Sequence, residues 1–256
     1  MFRKYLVNIA VVAHLTVDTL ILFPFIWLFI KIGKRHWGEA FAECIAKSWG
    51  RWFVRPTGAK IEVIYKDPMI KERFKNRPFV FISNHQSNMD IPVILGYFFK
   101  PVGFVAKLEL ANIKFFNMWM KLIGCVFLDR ESPREAVKML KEAVEKVESG
   151  KSIAIFPQGT RSDGITDFKK GSMKIALSAN AAIIPVTMIG TQNIFTPKPN
   201  KKVNPGVHVK MIVHSEIETK ELDKEERSQL HITLQKIIED EFNRHIHSTE
   251  AFNSES

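Results

Sequence analysis

The segment Pro78–Pro92, PFVFISNHQSNMDIP, marks a change from strand to helix within the chain. Its apolar run, Phe79–Ile82, is short, bulky and preceded by proline, which is typical of a buried strand. The polar side chains that follow are of the kinds that cap helices, and Pro92 is tolerated in a first helical turn. The residues between this strand and this helix therefore form a turn at the end of a strand, where open α/β sheets bind their ligands.

His85 and Asp90 lie in this turn and are separated by four residues. A histidine placed there can take a proton from an alcohol, and a carboxylate on its other ring nitrogen would fix the tautomer and stabilise the imidazolium. The spacing alone is weak evidence, because His245 and Glu250 repeat it in a polar tail. The alternative is a polar turn that Asp90 merely caps. The strand before the pair and the helix after it favour the catalytic interpretation.

Length and charge restrict the kinds of partner. The 256 residues can bury one good core with a small appendage. The net charge of +10 indicates an anionic partner, which would be nucleic acid, an anionic bilayer or a phosphorylated small molecule. The sequence carries no RNA- or DNA-binding signature, so we expect no nucleic acid partner. Cys44 and Cys125 lack metal-ligand spacing and are expected to be buried thiols in a reducing compartment.

The first 55 residues are rich in apolar and aromatic side chains, and we expect two membrane-associated helices there. The run from Tyr5 to Ile32 is interrupted by polar residues, and its clean part, Leu20–Ile30, is shorter than the ~20 residues of a single span. Aromatic residues then recur at helical spacing from Trp37 to Trp52, a pattern typical of the water–lipid boundary. The helices would lie in one leaflet or span weakly; one irregular transmembrane anchor and a soluble hairpin are the alternatives.

Strand-like and helix-like segments alternate after residue 55, which predicts an α/β fold. The predicted strands cover residues 61–65, 78–83, 102–107, 122–128, 153–156, 183–189 and 207–213. The predicted helices cover residues 91–99, 132–150, 173–182 and 223–245, and the sequence Ser132-Pro133-Arg134-Glu135 is a strong helix start. We expect a catalytic domain over residues 56–250 and a disordered tail at 251–256.

A second group of functional residue types follows the strand at 153–156. Gly159 lets the main chain approach a ligand closely, Thr160 offers a hydroxyl, and Arg161 has a planar group suited to phosphate. Lys107, just after another apolar run, is placed to steady a developing oxyanion. The alternatives are an ordinary polar turn and a surface lysine.

Four blocks, in order, resemble the glycerolipid acyltransferases, and in particular the 1-acyl-sn-glycerol-3-phosphate acyltransferases of the PlsC type. They are Asn84-His85-x4-Asp90, Gly124–Arg130, Phe156–Ser162 and Ile184–Val186, within a match over about residues 56 to 215. The resemblance implies a mixed sheet flanked by helices, behind an N-terminal two-helix membrane segment. The family usually has Glu where this chain has Gln158, which leaves the acceptor open.

The resemblance also implies a role for each residue. His85 would be the base that deprotonates the glycerol 2-hydroxyl, Asp90 its orienting partner and Lys107 the stabiliser of the oxyanion. Substrate binding would fall to Arg130, Gln158, Gly159, Thr160 and Arg161. No covalent acyl-enzyme is needed, and the chain has no G-x-S-x-G elbow.

The implied reaction belongs to phospholipid biosynthesis at the cytoplasmic face of the membrane. Lysophosphatidic acid would accept the acyl group from acyl-CoA or acyl-carrier protein and become phosphatidic acid, with no cofactor and no metal. One alternative keeps this chemistry with glycerol-3-phosphate or another lysolipid as the acceptor. An alternative of another class is a catalytically idle, basic protein that binds membranes peripherally.

Overall fold

The computed structural model describes Tyr5, Ile9 and residues 12–14, 16–129, 132–197 and 202–254, with side chains as far as His245. The described residues form a seven-stranded sheet with the strand order β1-β7-β6-β2-β5-β3-β4. The β6–β7 pair is antiparallel, and the other adjacent strands pair in parallel. The strands are β1 Lys60–Tyr65, β2 Val80–Ser83, β3 Gly103–Lys107, β4 Val126–Leu128, β5 Ile153–Ile155, β6 Ile183–Ile189 and β7 His208–Val213. The expected mixed α/β sheet is confirmed.

Helices cover both faces of the sheet. They are α1 Phe23–Lys31, α2 Arg35–Val54, α3 Ile70–Arg73, α4 Asp90–Tyr97, α5 Phe116–Leu122, α6 Pro133–Glu148, α7 Lys174–Ser178 and α8 Lys224–Ser254. The alternation of β2 shows why both faces are needed. Phe79 and Phe81 belong to a core with α2, α4 and α5, whereas Val80 and Ile82 belong to a core with α6, α7 and α8. A parallel strand that is apolar on both sides must be covered on both sides.

The N-terminal segment forms the two helices that were expected. A helix of 20 residues, Val12–Lys31, has a mean hydropathy of 1.8 and is long and apolar enough to cross a membrane; among the described residues it is the single helix of this kind. This helix is longer than the uninterrupted apolar run Leu20–Ile30, because it continues through the polar residues before that run. It includes a π-helical turn at Asp18–Leu22 and has Pro24 at the start of α1. Pro24 has no N–H to donate to the preceding turn of this continuous helix, and the π-helical irregularity lies just before it.

Helix α2 belongs to the core of the sheet as well as to the N-terminal pair. Ala42, Ile45 and Val54 are buried in the same cluster as the apolar side chains of α4. Gly50 and Gly96 meet at the contact between α2 and α4: a Cβ at position 50 would lie 2.5 Å from the main-chain nitrogen of Gly96. The domain boundary at residue 55 stays a prediction. Helix α2, which precedes this boundary, shares its core with the residues that follow it.

The predicted elements differ from the structure mainly in their lengths. The strand expected at 122–128 covers only Val126–Leu128, because α5 ends at Leu122. The helix expected at 173–182 is the short α7, preceded by a 3₁₀ turn at Lys170–Met173. The cap predicted at Ser132 is confirmed, since its side-chain oxygen accepts a hydrogen bond from the Glu135 main-chain nitrogen at 3.3 Å.

Candidate active site

The turn between β2 and α4 brings a histidine and an aspartate into direct contact. The His85 Nδ1 lies 2.6 Å from Asp90 Oδ2. Asp90 is the first residue of α4 and its side chain is fully buried, whereas the His85 side chain is 17% exposed. Because Asp90 engages Nδ1, the nitrogen that remains for a substrate is Nε2. The pair therefore has the arrangement of a general base and the group that orients it.

Further hydrogen bonds fix the Asp90 carboxylate. The main-chain nitrogens of Gln86 and Ser87 donate to Oδ2 at 2.8 and 3.0 Å. The Thr191 hydroxyl, which is buried, donates to the other oxygen, Oδ1. Thr191 follows β6, the neighbour of β2, so the carboxyl ends of two adjacent strands meet at this carboxylate. Both oxygens are held by donors, which fixes the orientation that Asp90 imposes on His85.

The loop after β5 holds the imidazole and its main chain. The Phe156 ring stacks on His85 with centroids 4.1 Å apart and planes 15° apart. The His85 main-chain nitrogen donates to Gln158 Oε1 at 2.8 Å, and the Ser162 main-chain nitrogen donates to the His85 carbonyl at 2.9 Å. The first and third sequence blocks therefore build one rigid unit.

Gln158 stands where the resemblance leads us to expect Glu, and its amide is engaged by the protein on both sides. Besides accepting from His85, it donates through Nε2 to the Gly164 carbonyl at 3.1 Å and to the Thr166 hydroxyl at 3.0 Å. A carboxylate has no N–H to donate, so Glu could not make the bond to Gly164. The side chain is buried, with 5% exposure, and these contacts support the turn. Its role in substrate binding stays a prediction.

A cavity of about 1170 Å³ adjoins His85. Its polar part is lined by Lys107, Gly159, Thr160, Arg161 and Lys169, among others. Gly159 has φ +76°, a main-chain conformation that favours glycine, and the Lys169 ammonium nitrogen lies close to it, 2.9 Å from where a Cβ would be. Lys107 and Arg161 are exposed at this polar part, here called the mouth of the cavity. The lining of the whole cavity also holds Lys169, Lys174 and two acids, Asp18 and Asp129, so among the described residues the basic side chains outnumber the acidic ones. The mouth suits an anionic group.

The rest of the cavity is apolar and extends under the helices. Apolar side chains from five helices line it, among them Trp49 of α2, Leu95 of α4, Met120 of α5, Leu140 of α6 and Ile175 of α7. The N-terminal segment therefore supplies part of the wall of the site. A cavity of this kind suits a long hydrocarbon chain whose polar end lies at the basic mouth.

The structure brings together most of the residues singled out in the sequence. His85, Lys107, Gly159, Thr160 and Arg161 line one cavity, with Asp90 and Gln158 directly behind His85. Arg130 lies outside the described residues. The individual roles of these residues stay predictions.

Three supporting residues were missed in the sequence. No role in the site is predicted from the sequence for Phe156, the first residue of the third block, or for Lys169. Thr191 stands outside every block and has no motif of its own. Its position just after β6 is the one available signal, because parallel neighbours end at the same edge of a sheet.

Comparison with known proteins identifies the family. A family model described as acyltransferase matches residues 60–189, which is half of the chain. The chain belongs to the acyltransferase family. A chloroplastic 1-acyl-sn-glycerol-3-phosphate acyltransferase of Arabidopsis thaliana is 33% identical over 203 residues, which cover 78% of this chain and 54% of the relative. A 1-acyl-sn-glycerol-3-phosphate acyltransferase of Borreliella burgdorferi is 35% identical over 158 residues, covering 61% of this chain and 62% of the relative.

The likeness to a solved acyltransferase extends over the whole chain. The crystal structure of PlsC, the 1-acyl-sn-glycerophosphate acyltransferase of Thermotoga maritima, superimposes with a TM-score of 0.74 at 27% identity, covering 98% of this chain and 97% of that one. This acyltransferase spans about half the length of the curated relatives that it matches. The resemblance drawn from the four sequence blocks is confirmed.

Proposed function

We propose that this acyltransferase moves a fatty acyl group from acyl-CoA or acyl-carrier protein to the 2-hydroxyl of 1-acyl-glycerol-3-phosphate. The product is phosphatidic acid, and the reaction is a step of phospholipid biosynthesis. The observation that carries the proposal is the His85–Asp90 pair at 2.6 Å, placed on a cavity that is basic at one end and apolar at the other. A lysophospholipid has the same two halves, an anionic head and a hydrocarbon chain.

The reaction requires one base. At the thioester carbonyl carbon a C–O bond forms and the C–S bond breaks. The His85 Nε2 takes the proton of the acceptor hydroxyl, and the oxygen forms a bond to the thioester carbonyl carbon. The tetrahedral intermediate collapses with rupture of the C–S bond, and the imidazolium returns the proton to the leaving thiolate. Asp90 stabilises the imidazolium between these steps. The acceptor itself is the nucleophile, so a covalent acyl-enzyme is unnecessary.

The charges at the mouth suit the other demands of this reaction. Arg161 and Thr160 would hold the acceptor phosphate, since a guanidinium binds phosphate through two parallel N–H groups. Lys107, at the end of β3, would stabilise the oxyanion of the tetrahedral intermediate. The acyl chain would extend into the apolar part of the cavity.

The proposed place of work is the cytoplasmic face of a membrane. The Val12–Lys31 helix leaves large apolar side chains exposed, among them Leu20, Phe25 and Trp27. A bilayer would cover them and would also supply the acceptor and take up the product. The thioester donors are products of cytoplasmic metabolism, and the free thiols of Cys44 and Cys125 suit that reducing compartment.

The base is tested by the His85→Ala variant, assayed with lysophosphatidic acid and an acyl-CoA in detergent micelles. We expect the rate of acyl transfer to fall by at least roughly 10²-fold, the usual contribution of a general base. The matched control is His208→Ala, an exposed histidine at the start of β7, which should retain the full rate. Equal rates for wild type and His85→Ala would remove the enzyme proposal.

The phosphate site is tested by Arg161→Ala. Loss of a charge-assisted contact made in both ground and transition states should raise the KM for lysophosphatidic acid by roughly 10-fold or more, while the KM for the thioester stays within about twofold. Arg134→Ala, an exposed arginine on α6, is the matched control and should change neither constant. Similar increases in both KM values would contradict the phosphate role.

A further inference from the structure

The segment that follows β3 exposes large apolar side chains beside the cavity. Residues 108–115, here called the 108–115 segment, form a 3₁₀ turn at Leu108–Asn112 and a tight turn. Leu108, Ile113 and Phe115 are 42%, 49% and 64% exposed. Scattered apolar side chains are ordinary on a protein surface, but three within eight residues of one loop form a patch.

Phe115 occupies a strained main-chain conformation that holds its ring outward. Its φ is +64° and its ψ is −45°, and the Phe116 main-chain nitrogen donates to the Lys114 carbonyl at 2.7 Å. This is a γ-turn with a positive φ, which is rare and strained for a residue with a bulky side chain. Asn117 braces the turn, since its main-chain nitrogen donates to the Ile113 carbonyl at 3.0 Å and its side chain donates to the Ala111 carbonyl. The exposure of Phe115 is therefore built into the fold.

The helix that follows the patch, α5, packs on the N-terminal helix. The Trp119 Nε1, four residues beyond Phe115, donates to the Thr19 hydroxyl at 3.1 Å, and the Trp119 and Phe23 ring centroids are 5.9 Å apart. Thr19 and Phe23 lie in the Val12–Lys31 helix, whose Leu20 is 70% exposed. Because α5 follows the 108–115 segment directly, a bilayer that receives the Val12–Lys31 helix would lie near the segment.

The inner side of the same segment lines the cavity. Leu110, together with Phe116 just beyond the segment, forms part of the apolar wall, and Lys107 lies at the basic mouth immediately before it. The exposed charges are Lys107 and Lys114 against Glu109, a net positive edge on a chain of charge +10. The 108–115 segment therefore lies between the cavity and the protein surface near the N-terminal apolar helix. Its positive charge suits anionic lipid headgroups.

We propose that the 108–115 segment is a second membrane-contact element, carried by the catalytic domain. Leu108, Ile113 and Phe115 insert into the interface of an anionic leaflet, with Lys114 at headgroup level. The mouth of the cavity then opens at the depth of the lipid phosphates, and the acceptor moves from the leaflet into the cavity past this segment. The inference rests on the membrane location proposed above and adds to it where the lipid is admitted.

The insertion is tested with a polarity-sensitive fluorophore on a single cysteine. Cys44 is exposed, so the expectation that it is buried was wrong, and it is replaced by Ser. Cys125 is buried, and burial raises the pKa of its thiol to about 12, so it resists labelling. The label is placed by Phe115→Cys or, as the matched control, by Ile232→Cys, an exposed apolar position on α8. The full-length proteins are bound to vesicles of phosphatidylglycerol and phosphatidylcholine, some carrying nitroxide on the acyl chains.

We expect the label at position 115 to shift its emission to the blue and to be quenched by the nitroxide, and the label at position 232 to stay as in water. Emission at position 115 that remains as in water, on protein that sediments with the vesicles, would overturn the proposal. This readout requires no acyl transfer. A negative result of the enzymatic tests would therefore leave it intact.

The kinetic consequence is tested with Phe115→Ser. The rate with lysophosphatidic acid embedded in vesicles should fall by about tenfold, the effect of losing one buried large apolar side chain. The rate with a short-chain lysophosphatidic acid below its micellar concentration should not change, because Phe115 does not line the cavity. Ile232→Ser is the control and should leave both rates unchanged. An equal loss with both acceptors would contradict a role in lipid access.

Discussion

Thr191 is the residue through which β6 acts on the candidate base. Its hydroxyl donates to Asp90 Oδ1, while the other carboxylate oxygen receives His85 and two main-chain nitrogens. Hydrogen bonds to a charged group contribute more than neutral ones, and a buried carboxylate that loses a donor also loses its fixed orientation. Thr191 thus serves as a positioning residue that touches no reacting atom.

Replacement of Thr191 by Val should keep the shape of the side chain and remove this bond. We expect kcat to fall by roughly 10- to 100-fold, the equivalent of one lost hydrogen bond to a charged group, with the KM for lysophosphatidic acid nearly unchanged. Steady-state kinetics would measure both constants, and Thr191→Ser should restore most of the rate.

Thr187→Val provides the control for this prediction. Thr187 is also buried, on β6, and its hydroxyl contacts His214 at 2.9 Å instead of the active site. This variant should lose stability while its kcat stays close to that of wild type. A Thr191→Val enzyme with normal kcat would show that Asp90 is held well enough by its other donors.

At the level of residues, the sequence predicted contacts that are local and missed those that depend on the sheet. His85 and Asp90 are close in sequence, and the strand and helix around them fix their geometry. Thr191 reaches Asp90 only because β6 pairs with β2, a pairing that no local pattern states. The contacts of Gln158 were missed for a similar reason, since they depend on the path of the loop to Thr166.

The contact of α2 with α4 is the element-level feature that joins the N-terminal segment to the site. A Cβ at position 50 would lie 2.6 Å from the Pro92 carbonyl oxygen and 2.5 Å from the Gly96 nitrogen. Arg51 strengthens the contact by donating from Nε to the Gly96 carbonyl at 2.9 Å. Since α4 begins at Asp90, a shift of this helix moves the partner of His85.

Gly50→Ala should therefore lower both stability and activity. Separating two close-packed helices by a methyl group costs about 1–3 kcal/mol of unfolding free energy. We also expect kcat to fall, because α4 carries Asp90. Thermal or chemical unfolding in detergent, followed by circular dichroism and combined with the acyl transfer assay, would measure both effects.

The matched variant is Gly164→Ala, at a glycine around which a Cβ would meet nothing within 4 Å. It should behave as wild type in both measurements. If Gly50→Ala lowered neither stability nor kcat, α2 would have room to move away from α4 without disturbing the site.

The elements themselves were largely predictable. Each of the predicted strands exists, because runs such as Ile183–Ile189 are apolar, rich in β-branched residues and bounded by turn formers. The helix Phe116–Leu122 was missed because seven residues are too few to show a helical period. The contact between α2 and α4 was also unpredictable, since a glycine in a helix does not reveal what approaches it.

At the scale of the molecule, the candidate site, the apolar cavity and the exposed apolar surface share one region. β2, β3 and β5 all direct their carboxyl ends to the cavity, and the loops that follow carry His85, the 108–115 segment and Arg161. The sequence predicted a membrane segment and a catalytic domain as successive parts. Their shared core, with α2 as wall of the cavity, depends on packing that composition does not state.

A partly buried ionisable cluster beyond β7 sets a pH dependence for the stability of the whole fold. His214 follows β7, and burial lowers the pKa of its imidazole to about 4. The charges that face it are Glu241, which raises this pKa, and Lys66 and Arg244, which lower it. Burial raises the pKa of Glu241, but its bond to Lys66 and the neighbouring charges outweigh burial and hold the pKa of Glu241 below its ordinary value.

His214→Gln should flatten the loss of stability on acidification. Between pH 6.5, where a histidine titrates in the unfolded chain, and about pH 4, the unfolded state binds a proton that folded His214 does not. Above pH 6.5 His214 is neutral in both states and costs the fold nothing. Below pH 6.5 the free energy of unfolding falls with the pH, by up to about 3 kcal/mol at pH 4. Chemical unfolding in detergent at pH 4.5–7.5 measures this slope. The exposed His208→Gln variant should keep the wild-type slope, and a His214→Gln protein with that same slope would show that His214 gains its proton without unfolding.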